Sequence, residues 1–526
     1  MIKTNIKIKI GYTTDDLCRA VADRLPVSQE ELSGLRIIRR ALNLSDKSDI
    51  HYDMTVALEL NPEREKGLLN MRKKVAYQPD LTLTLPKSSL TSRPVVIGAG
   101  PAGLFCALVL AEAGARPILY ERGLPVELRP EAIKRFYSFG LIDPDCNIQY
   151  GEGGAGAYSD GKLKSGAPDK YKMKVLSELV LCGAPEEILY STNAHVGTDV
   201  LPTVVKKIRE KIISLGGEVH FSAKLTGIKL RDGKVQGGRV NECGRETEFE
   251  AERIILATGH SAHDVYELLQ SLGCSLQPRG FGIGVRIEHK REYVNELILG
   301  KNPPCGVGTA SYHLVTHLPS GRSVYSFCMC PGGEVVAAAS EAGGIVTNGM
   351  SEYSRMADNS NSALLVSVTP DDFPDDDPLS GLKLQRKIEQ AAFRLCGGEY
   401  KAPAQRLDDF LENRKTISFG EVNPSYPIGT VKERLDECLP EYITDSLRAG
   451  LADFGAWLPG YDRADAILTA PETRSTSPVR VLRAESFEAF GIEGLYPIGE
   501  GAGYSGGIVS SARDGVMCAE AILNER

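Results

Sequence analysis

An alternation of apolar and polar side chains opens the chain and predicts a β-strand. Isoleucines at positions 2, 6, 8 and 10 share one face, and lysines at positions 3, 7 and 9 occupy the other. Further segments follow at residues 13–25 (helix), 35–42 and 50–60 (strands), 61–72 (helix) and 81–85 (strand). This βαββαβ order predicts a ferredoxin-like α+β domain over residues 1–90.

From Val95 onward the pattern changes to short apolar strands separated by helices. Residues 94–97 are a strand, a Gly-rich turn and a helix that stops at Gly114 come next, and residues 116–120 are a second strand. Strands that are apolar throughout are buried on both faces, which is typical of a parallel α/β sheet. The fold class predicted for this region is therefore α/β.

Composition and charge narrow the function classes. The 526 residues are 42% hydrophobic and 25% charged, which is ordinary for a globular protein. A net charge of -8 disfavours nucleic acid as a partner of the whole chain. Residues 1–93 carry 16 Lys and Arg against 12 Asp and Glu, which favours a separate N-terminal module. Residues 94–111 are uncharged, but their three Gly and two Pro fit a strand, turn and helix better than a membrane span.

Neither a metal site nor export from the cell is expected. The twelve cysteines show no CxxC spacing, so a zinc site is not predicted. The acidic loop Asp371–Asp377 lacks the alternating Asp and Gly of a calcium loop and is predicted to be a solvated turn. Residues 1–11 lack the apolar core of a signal peptide, so we expect a cytoplasmic protein with reduced thiols.

The first apolar strand leads into a dinucleotide-binding motif. Its residues are Gly98, Gly100, Pro101, Ala102 and Gly103 at the turn and helix start, and Glu121 after the second strand. The glycines permit a tight turn, close approach of a pyrophosphate and close helix–strand packing. The helix N-terminus attracts the pyrophosphate, and the acid accepts hydrogen bonds from ribose hydroxyls. We therefore predict a bound dinucleotide; the alternative is a Gly-rich turn that serves packing alone.

The same pattern returns at the other end of the chain. A strand over residues 493–498 leads into a last helix, and residues 253–259 form a third element of this kind. The residues concerned are Thr258, Gly259, Gly499, Glu500, Gly506, Gly507 and Ile508. This set resembles FAD enzymes of the glutathione-reductase and para-hydroxybenzoate-hydroxylase superfamily. The resemblance implies that FAD spans both chain ends and that Glu500 holds the ribityl chain, where most relatives carry Asp.

Motifs in the middle of the chain carry a closer resemblance. They are Glu121–Arg129, Gly151–Gly156, Ser159–Leu163, Cys328–Gly333, Val346–Met350 and Thr473–Val479. The series is similar to the bacterial FAD-dependent dehydrogenase family, which also carries a small N-terminal domain. The resemblance implies a Rossmann-like FAD-binding domain over residues 91–265, an inserted α+β substrate domain over residues 266–490, and a return of the FAD-binding domain over residues 491–526.

Other residues were assigned to the cofactor by their chemistry. The Gly-rich loop of residues 151–163 can lie against FAD, because glycine lets backbone approach a flat ring or phosphate. Arg122 and Arg129 can neutralise a pyrophosphate. The loop residues are Gly153, Gly154, Ala155, Lys162 and Leu163. Arg122, which directly follows the ribose-binding acid, could equally lie along the adenine. The alternatives are a surface loop between two domains and solvated arginines.

Four residues are candidates for catalysis, each with a structural alternative. Cys328 and Cys330 are spaced i and i+2, so their side chains share one face of a strand. They are candidates for thiol chemistry, and the alternative is that they are small buried residues of the strand. Arg474 can stabilise a reduced flavin or pair with a nearby acid. His260 can transfer protons or cap a helix.

Together these observations predict an FAD-dependent oxidoreductase. The flavin would exchange a hydride at N5 with a small organic substrate or with NAD(P)H as a transient donor. No second Rossmann pattern is present for a resident nicotinamide cofactor. The alternatives are a redox-sensing or structural flavoprotein that contacts a macromolecule, and a flavin monooxygenase.

Overall fold

The N-terminal residues form their own sheet and core. The computed structural model describes residues 1–28, 30–32, 34–70, 74–163 and 168–525. The first elements are β1 (Ile2–Lys9), α1 (Thr14–Arg24), β2 (Arg36–Asn43), β3 (His51–Leu58), α2 (Pro62–Leu69) and β4 (Ala76–Tyr77). The strands lie in the order β2-β3-β1-β4, and the paired strands are antiparallel. The isoleucine face of β1 packs on Val21 of α1 and Met54 of β3 in a core separate from the rest of the chain.

The end of this module differs from the prediction. The last strand is Ala76–Tyr77, and residues 81–85, all of them described, form no strand. Leu83, Leu85 and Leu90 pack instead against the core of the following domain, and the Ser88 N–H donates to the Ala113 carbonyl at 2.8 Å. Burial on a neighbouring surface thus overrides the alternating pattern. The predicted helix end at Arg72 lies outside the described residues.

The next region supplies most of a parallel sheet and the helices that cover it. Its elements are β5 (Val95–Ile97), α3 (Pro101–Glu112), β6 (Ile118–Tyr120), α4 (Arg129–Phe139), α5 (Lys170–Leu181), α6 (Leu201–Ser214), β7 (Glu218–His220), β8 (Ala223–Arg231), β9 (Lys234–Glu242), β10 (Arg245–Glu250), β11 (Ile254–Leu256) and α7 (His263–Ser271). Strands β8, β9 and β10 form a separate antiparallel sheet. The residues of β5 and β11 are buried, as expected for central parallel strands.

The remaining chain builds a mixed sheet and then returns to the parallel sheet. Its elements are β12 (Leu276–Pro278), β13 (Phe281–Lys290), α8 (Arg291–Leu299), β14 (Val315–His317), β15 (Ser323–Cys330), β16 (Glu334–Ala337), β17 (Thr347–Met350), β18 (Asn359–Val368), α9 (Ser380–Leu395), β19 (Ala402–Arg406), α10 (Leu407–Leu411), β20 (Thr430–Lys432), α11 (Glu441–Trp457), β21 (Ile467–Glu472), β22 (Val479–Val481), β23 (Leu495–Pro497) and α12 (Ile508–Leu523). The mixed sheet has the order β14-β15-β18-β13-β21-β19-β20, and β12 pairs with β22. We call residues 276–481 the insert.

The parallel sheet joins the two distant parts of the chain. Its strand order is β23-β11-β5-β6-β7, so the C-terminal strand lies beside β11, which pairs with β5. All of these pairings are parallel. The carboxyl ends of β5 and β23 therefore point to the same edge, where α3 and α12 begin.

The uncharged run of residues 94–111 is divided between elements. It contains β5, the Gly-rich turn and most of α3, whose twelve residues end at Glu112. Within the described ranges, no helix is both long enough and apolar enough to cross a membrane.

The separate N-terminal core generates a prediction about truncation. A chain that begins at Pro79 keeps the three leucines that pack on the following domain, and we expect it to fold and to bind FAD, the cofactor implied by the resemblance. A chain that begins at Ser92 loses those leucines and should unfold at a lower temperature, since each partly buried leucine contributes on the order of 1 kcal/mol. The unfolding temperature and the amount of bound flavin are measured for each of the two chains. Equal stability of the two chains would contradict the role given to the leucines.

Candidate cofactor site

The Gly-rich turn between β5 and α3 is shaped by two close contacts. Gly98 has φ +103°, in the left-handed region that favours glycine, and its N–H donates to the Tyr120 carbonyl at 2.7 Å. A Cβ on Gly103 would overlap the carbonyl oxygen of Gly98, so the third glycine lets the helix pack on the turn. These are the roles expected of the first and third glycines of the motif.

Gly100 needs a different explanation. Its φ is -74°, which any residue adopts, and no described atom lies within 4 Å of the Cβ that would be added there. Gly506 is a similar case, because no described atom lies within 4 Å of the Cβ that would be added there. Neither backbone strain nor packing within the chain therefore requires glycine here. Space for a ligand explains the glycine at both positions. Glycines that border open space are what a site for a closely approaching cofactor requires.

Two helices begin at this space. Helix α3 starts after Gly100 and α12 after Gly507, and in the described residues neither helix has a side-chain N-cap. The free N–H groups and the positive ends of both dipoles therefore favour negative charge on a ligand. Pro101, Ala102 and Ile508, all predicted site residues, line the same cleft, whose open volume is about 1380 Å³.

The predicted ribose-binding acid is held rigidly at one end of the cleft. One oxygen of Glu121 accepts from the Ala99 N–H at 2.7 Å, and the other accepts from Gly123 and Gly151 at 2.9 and 3.1 Å. Glu121 also lines the cleft. Its carboxylate thus ties the turn to the Gly-rich loop and presents negative charge to the ligand.

Arg122 lies in the cleft wall beside this acid. Its guanidinium sits over the Tyr150 ring, 4.4 Å from the centroid, and donates to Asp264 at 3.0 Å. Its charge is therefore already matched within the protein. Because this charge is paired with Asp264, the planar guanidinium is available chiefly for stacking against an aromatic ring.

The Gly-rich loop crosses the start of both helices. The Gly153 N–H donates to the Ala99 carbonyl at 2.8 Å, which docks the loop on the β5–α3 turn. Gly154 and Ala155 line the cleft, whereas Gly153 lies behind them. A Cβ on Gly156 would stand 3.1 Å from Ile508 at the start of α12. The loop therefore forms part of the cleft wall.

Five predicted cofactor residues lie outside the cleft lining: Gly103 and Gly153, whose contacts within the chain are given above, and Arg129, Lys162 and Leu163. Arg129 is fully buried beneath the loop, and its guanidinium donates to backbone carbonyls there, including Glu152 at 2.6 Å and Asn147 at 2.7 Å. Lys162 donates to the Met329 carbonyl and pairs with an acid, and Leu163 packs in the core. The prediction that Arg129 neutralises a pyrophosphate is therefore wrong, because its guanidinium is buried and bound to backbone carbonyls. The Lys162 ammonium, expected near a phosphate or the flavin, pairs with Asp160 outside the cleft lining.

The third element and the C-terminal turn meet at the other end of the cleft. All of the site residues predicted in these two segments line the cleft: Thr258, Gly259, His260, Gly499, Glu500, Gly506, Gly507 and Ile508. His260 Nδ1 stands 3.7 Å from a carboxylate oxygen of Glu500. The Gly499 N–H donates to Asp514 at 2.7 Å, which fixes the turn before α12. The third element and the C-terminal turn thus lie in the same site as the first Gly-rich turn.

The insert closes the cleft with a polar wall. Its lining residues are Phe327, Cys328, Asn348, Glu472, Arg474 and Ser475. Of the predicted catalytic residues, Cys328 and Arg474 face the cleft, as His260 does, whereas Cys330 is buried behind the lining. Arg474 donates to Glu389 at 2.8 and 2.9 Å and to the Ser340 hydroxyl. All three of its nitrogens are therefore occupied, as in the alternative of an arginine paired with an acid.

Glu472 is a cleft residue that sequence reasoning missed. It pairs with the fully buried Arg286, which donates to both of its oxygens. Burial raises the pKa of Glu472 to about 7, although the Arg286 charge opposes the shift. One feature of the sequence could have identified Glu472 as a candidate: it is a carboxylate at the end of the apolar segment Ile467–Glu472, two residues before Arg474.

Comparison with known proteins bears on this geometry. Residues 92–271 match the model of the pyridine nucleotide-disulphide oxidoreductase family, and residues 280–475 match that of the FAD-dependent protein, C-terminal domain-like family. An uncharacterized protein of Clostridium beijerinckii is 44% identical over 528 residues, covering 99% of this chain and 98% of that protein.

Similar solved structures are more distant. A triple mutant of the flavin-dependent brominase Bmp2 has a TM-score of 0.37 at 13% identity, covering 82% of this chain and 79% of its own. A 3-ketosteroid-delta4-(5alpha)-dehydrogenase from Rhodococcus jostii RHA1 has a TM-score of 0.36 at 13% identity, covering 84% of this chain and 100% of its own. The sequence matches carry the assignment and confirm the predicted cofactor, FAD: the chain belongs to the bacterial FAD-dependent dehydrogenase family, and the protein is an FAD-dependent oxidoreductase.

Proposed function

We propose that FAD lies along the cleft with its adenosine end at Glu121 and its flavin end between α12 and the insert. The observation that supports this most directly is the pair of glycines, Gly100 and Gly506, that border open space at the starts of two uncapped helices. A dinucleotide with a pyrophosphate near one helix and a flavin near the other would use both. When bound, the flavin supplies hydride transfer at N5.

At the adenosine end, the proposed roles are binding and orientation. The first-turn N–H groups of α3 hold the pyrophosphate, with Gly100 giving it room. Glu121, already fixed by three backbone N–H groups, accepts from the ribose hydroxyls and disfavours a 2′-phosphate by charge. Arg122 stays on the Tyr150 ring and stacks beside the adenine.

At the flavin end, α12 is a better anion stabiliser than Arg474. The guanidinium of Arg474 forms a buried pair with Glu389, so the pair carries little net charge toward the cleft. The N-terminus of α12 has no side-chain cap in the described residues and favours negative charge on the reduced ring. Glu500, also at this end, accepts a hydrogen bond from the ribityl chain.

The wall of the insert is the proposed substrate side. Glu472 has a pKa of about 7, raised by burial against the opposing charge of Arg286, so it can hold or release a proton near neutral pH. Asn348 and Ser475 offer hydrogen-bonding groups beside it. We therefore propose that a small organic substrate with a polar group binds against this wall and exchanges a hydride with the flavin, and that NAD(P)H is a transient donor.

Anaerobic stopped-flow mixing with NADH and with NADPH tests the electron donor. We expect the visible flavin absorption of the FAD-loaded protein to bleach rapidly with at least one of them, because hydride transfer to N5 removes that band. Failure of both donors, together with failure of a panel of reduced metabolites, would contradict the oxidoreductase reaction proposed here and favour a sensing or structural flavin. Peroxide release and substrate hydroxylation in air would indicate a monooxygenase instead.

Gly100→Val tests the cradle. The added side chain would occupy open space that we assign to the pyrophosphate, so the variant should fold but bind FAD at least a hundredfold more weakly, a loss of about 3 kcal/mol or more. Gly67→Val is the matched control: this helical glycine is also surrounded by open space in the described residues, but it lies in α2, away from the cleft.

Titration of the two apoproteins with FAD, followed by fluorescence quenching, provides the comparison. Circular dichroism should show both variants to be folded. An affinity for FAD that is the same in Gly100→Val and Gly67→Val would show that the space beside Gly100 serves no cofactor.

A further inference from the structure

Strand β15 is distorted where it reaches the cleft. Its pairing with β18 shifts register between Phe327 and Cys330, and Cys328, which lies within that step, has φ +43°. A positive φ is uncommon for a residue other than glycine and is found where a fold holds a side chain in a special position. The distortion places Cys328 among the residues that line the cleft.

A second thiol lies directly behind the first. Cys330 is fully buried, and its thiol donates to the Cys328 carbonyl at 3.3 Å, so its side chain turns back toward residue 328. The same thiol is the largest influence on the pKa of Cys328, which it lowers. One cysteine thus faces the cleft while the other contacts it from the protein interior.

The charges around the pair favour a thiolate at Cys328. Lys162 reaches into this region, and Arg286 donates to the Cys328 carbonyl at 3.0 Å. Two acids face the same region: Asp160 lies 2.9 Å from the Lys162 ammonium, and Glu472 pairs with Arg286. Asp160 is further paired with Arg355 at 2.7 Å.

The balance of these influences lowers the pKa of Cys328 to about 5. The neighbouring Cys330 thiol lowers this pKa most, burial raises it, and the Lys162 and Arg286 charges lower it further. The pKa of Cys330 is raised by the same thiol contact and by burial. The pair therefore has one thiolate and one thiol.

We propose that Cys328 is an oxidant-reactive thiolate facing the cofactor cleft and that Cys330 is its resolving thiol, with small hydroperoxides as the chemical class of oxidant. A thiolate that lines a cleft beside a second thiol is an arrangement that supports reversible oxidation. Cys328 lines the cleft, where a small molecule can approach it, whereas Cys330 is fully buried behind it. The inference concerns these thiols and does not depend on which substrate the flavin serves.

The chemistry is balanced in two steps. The Cys328 thiolate attacks one peroxide oxygen and the O–O bond breaks; the sulfur becomes a sulfenic acid, and the other oxygen leaves with a proton as water or an alcohol. The Cys330 thiol then attacks the sulfenic sulfur, the S–O bond breaks, and water leaves as a Cys328–Cys330 disulfide forms. One peroxide is reduced by two electrons from the two thiols. A dithiol reductant reverses the disulfide.

Peptide mass mapping of the FAD-loaded protein treated with hydrogen peroxide tests the proposal. In the natural chain we expect one peptide containing Cys328 and Cys330 to lose two hydrogens and to recover them with dithiothreitol. Cys330→Ser should accumulate a sulfenic acid at Cys328 that dimedone traps, and Cys328→Ser should give neither product. Cys305→Ser, which removes an exposed cysteine elsewhere, is the matched control and should react like the natural chain.

The pH dependence of the rate gives a second readout on the natural chain, independent of any variant's folding. Between pH 8 and pH 6 the rate at Cys328 should fall by no more than about a fifth, because a thiol of pKa about 5 remains ionised. An ordinary thiol would slow almost a hundredfold over that range, with about tenfold lost per pH unit. A hundredfold fall, or oxidation first at another cysteine, would overturn the assignment.

Discussion

Close backbone contact between α3 and α12 is the constraint on which the rest of the site depends. Gly515, in α12, lies against α3 so closely that a Cβ there would overlap the carbonyl oxygen of Ala102. Because Gly515 has no side chain, helices about 400 residues apart in sequence pack backbone to backbone. Gly103 makes a separate close contact, which packs the start of α3 on the turn at Gly98. Both N-termini then open into one cleft.

Once the two helices are fixed, the other parts of the chain take distinct roles. Arg129 holds the Gly-rich loop by its carbonyls, so the loop keeps the shape of the cleft wall without using its own side chains. The insert contributes a wall built on two buried ion pairs, Arg286–Glu472 and Arg474–Glu389. Buried ion pairs that carry further hydrogen bonds are rigid, since loss of one partner leaves an unpaired charge. The polar wall therefore stands in a defined position opposite the helix ends.

The sequence predicted the parts of the site that local pattern determines. The turn at Gly98 and the start of the last helix at Ile508 follow from short runs of apolar residues and glycine, which need no knowledge of distant contacts. The role of Arg129 could not be predicted, because an arginine beside a Gly-rich loop has the same local sequence whether it binds a phosphate or backbone carbonyls. Glu472 was missed because its partner, Arg286, lies 186 residues away. Leu83 was placed in a strand because alternation does not reveal which surface buries the apolar face.

A crystal structure of the FAD-loaded protein tests the central claim, that one cofactor spans the starts of α3 and α12, most directly. The account predicts electron density for the pyrophosphate beside Gly100, for the adenosine beside Glu121 and for the flavin ring between Gly506 and the wall that carries Cys328 and Glu472. Density for FAD elsewhere on the chain, or a flavin ring directed away from the insert, would contradict it.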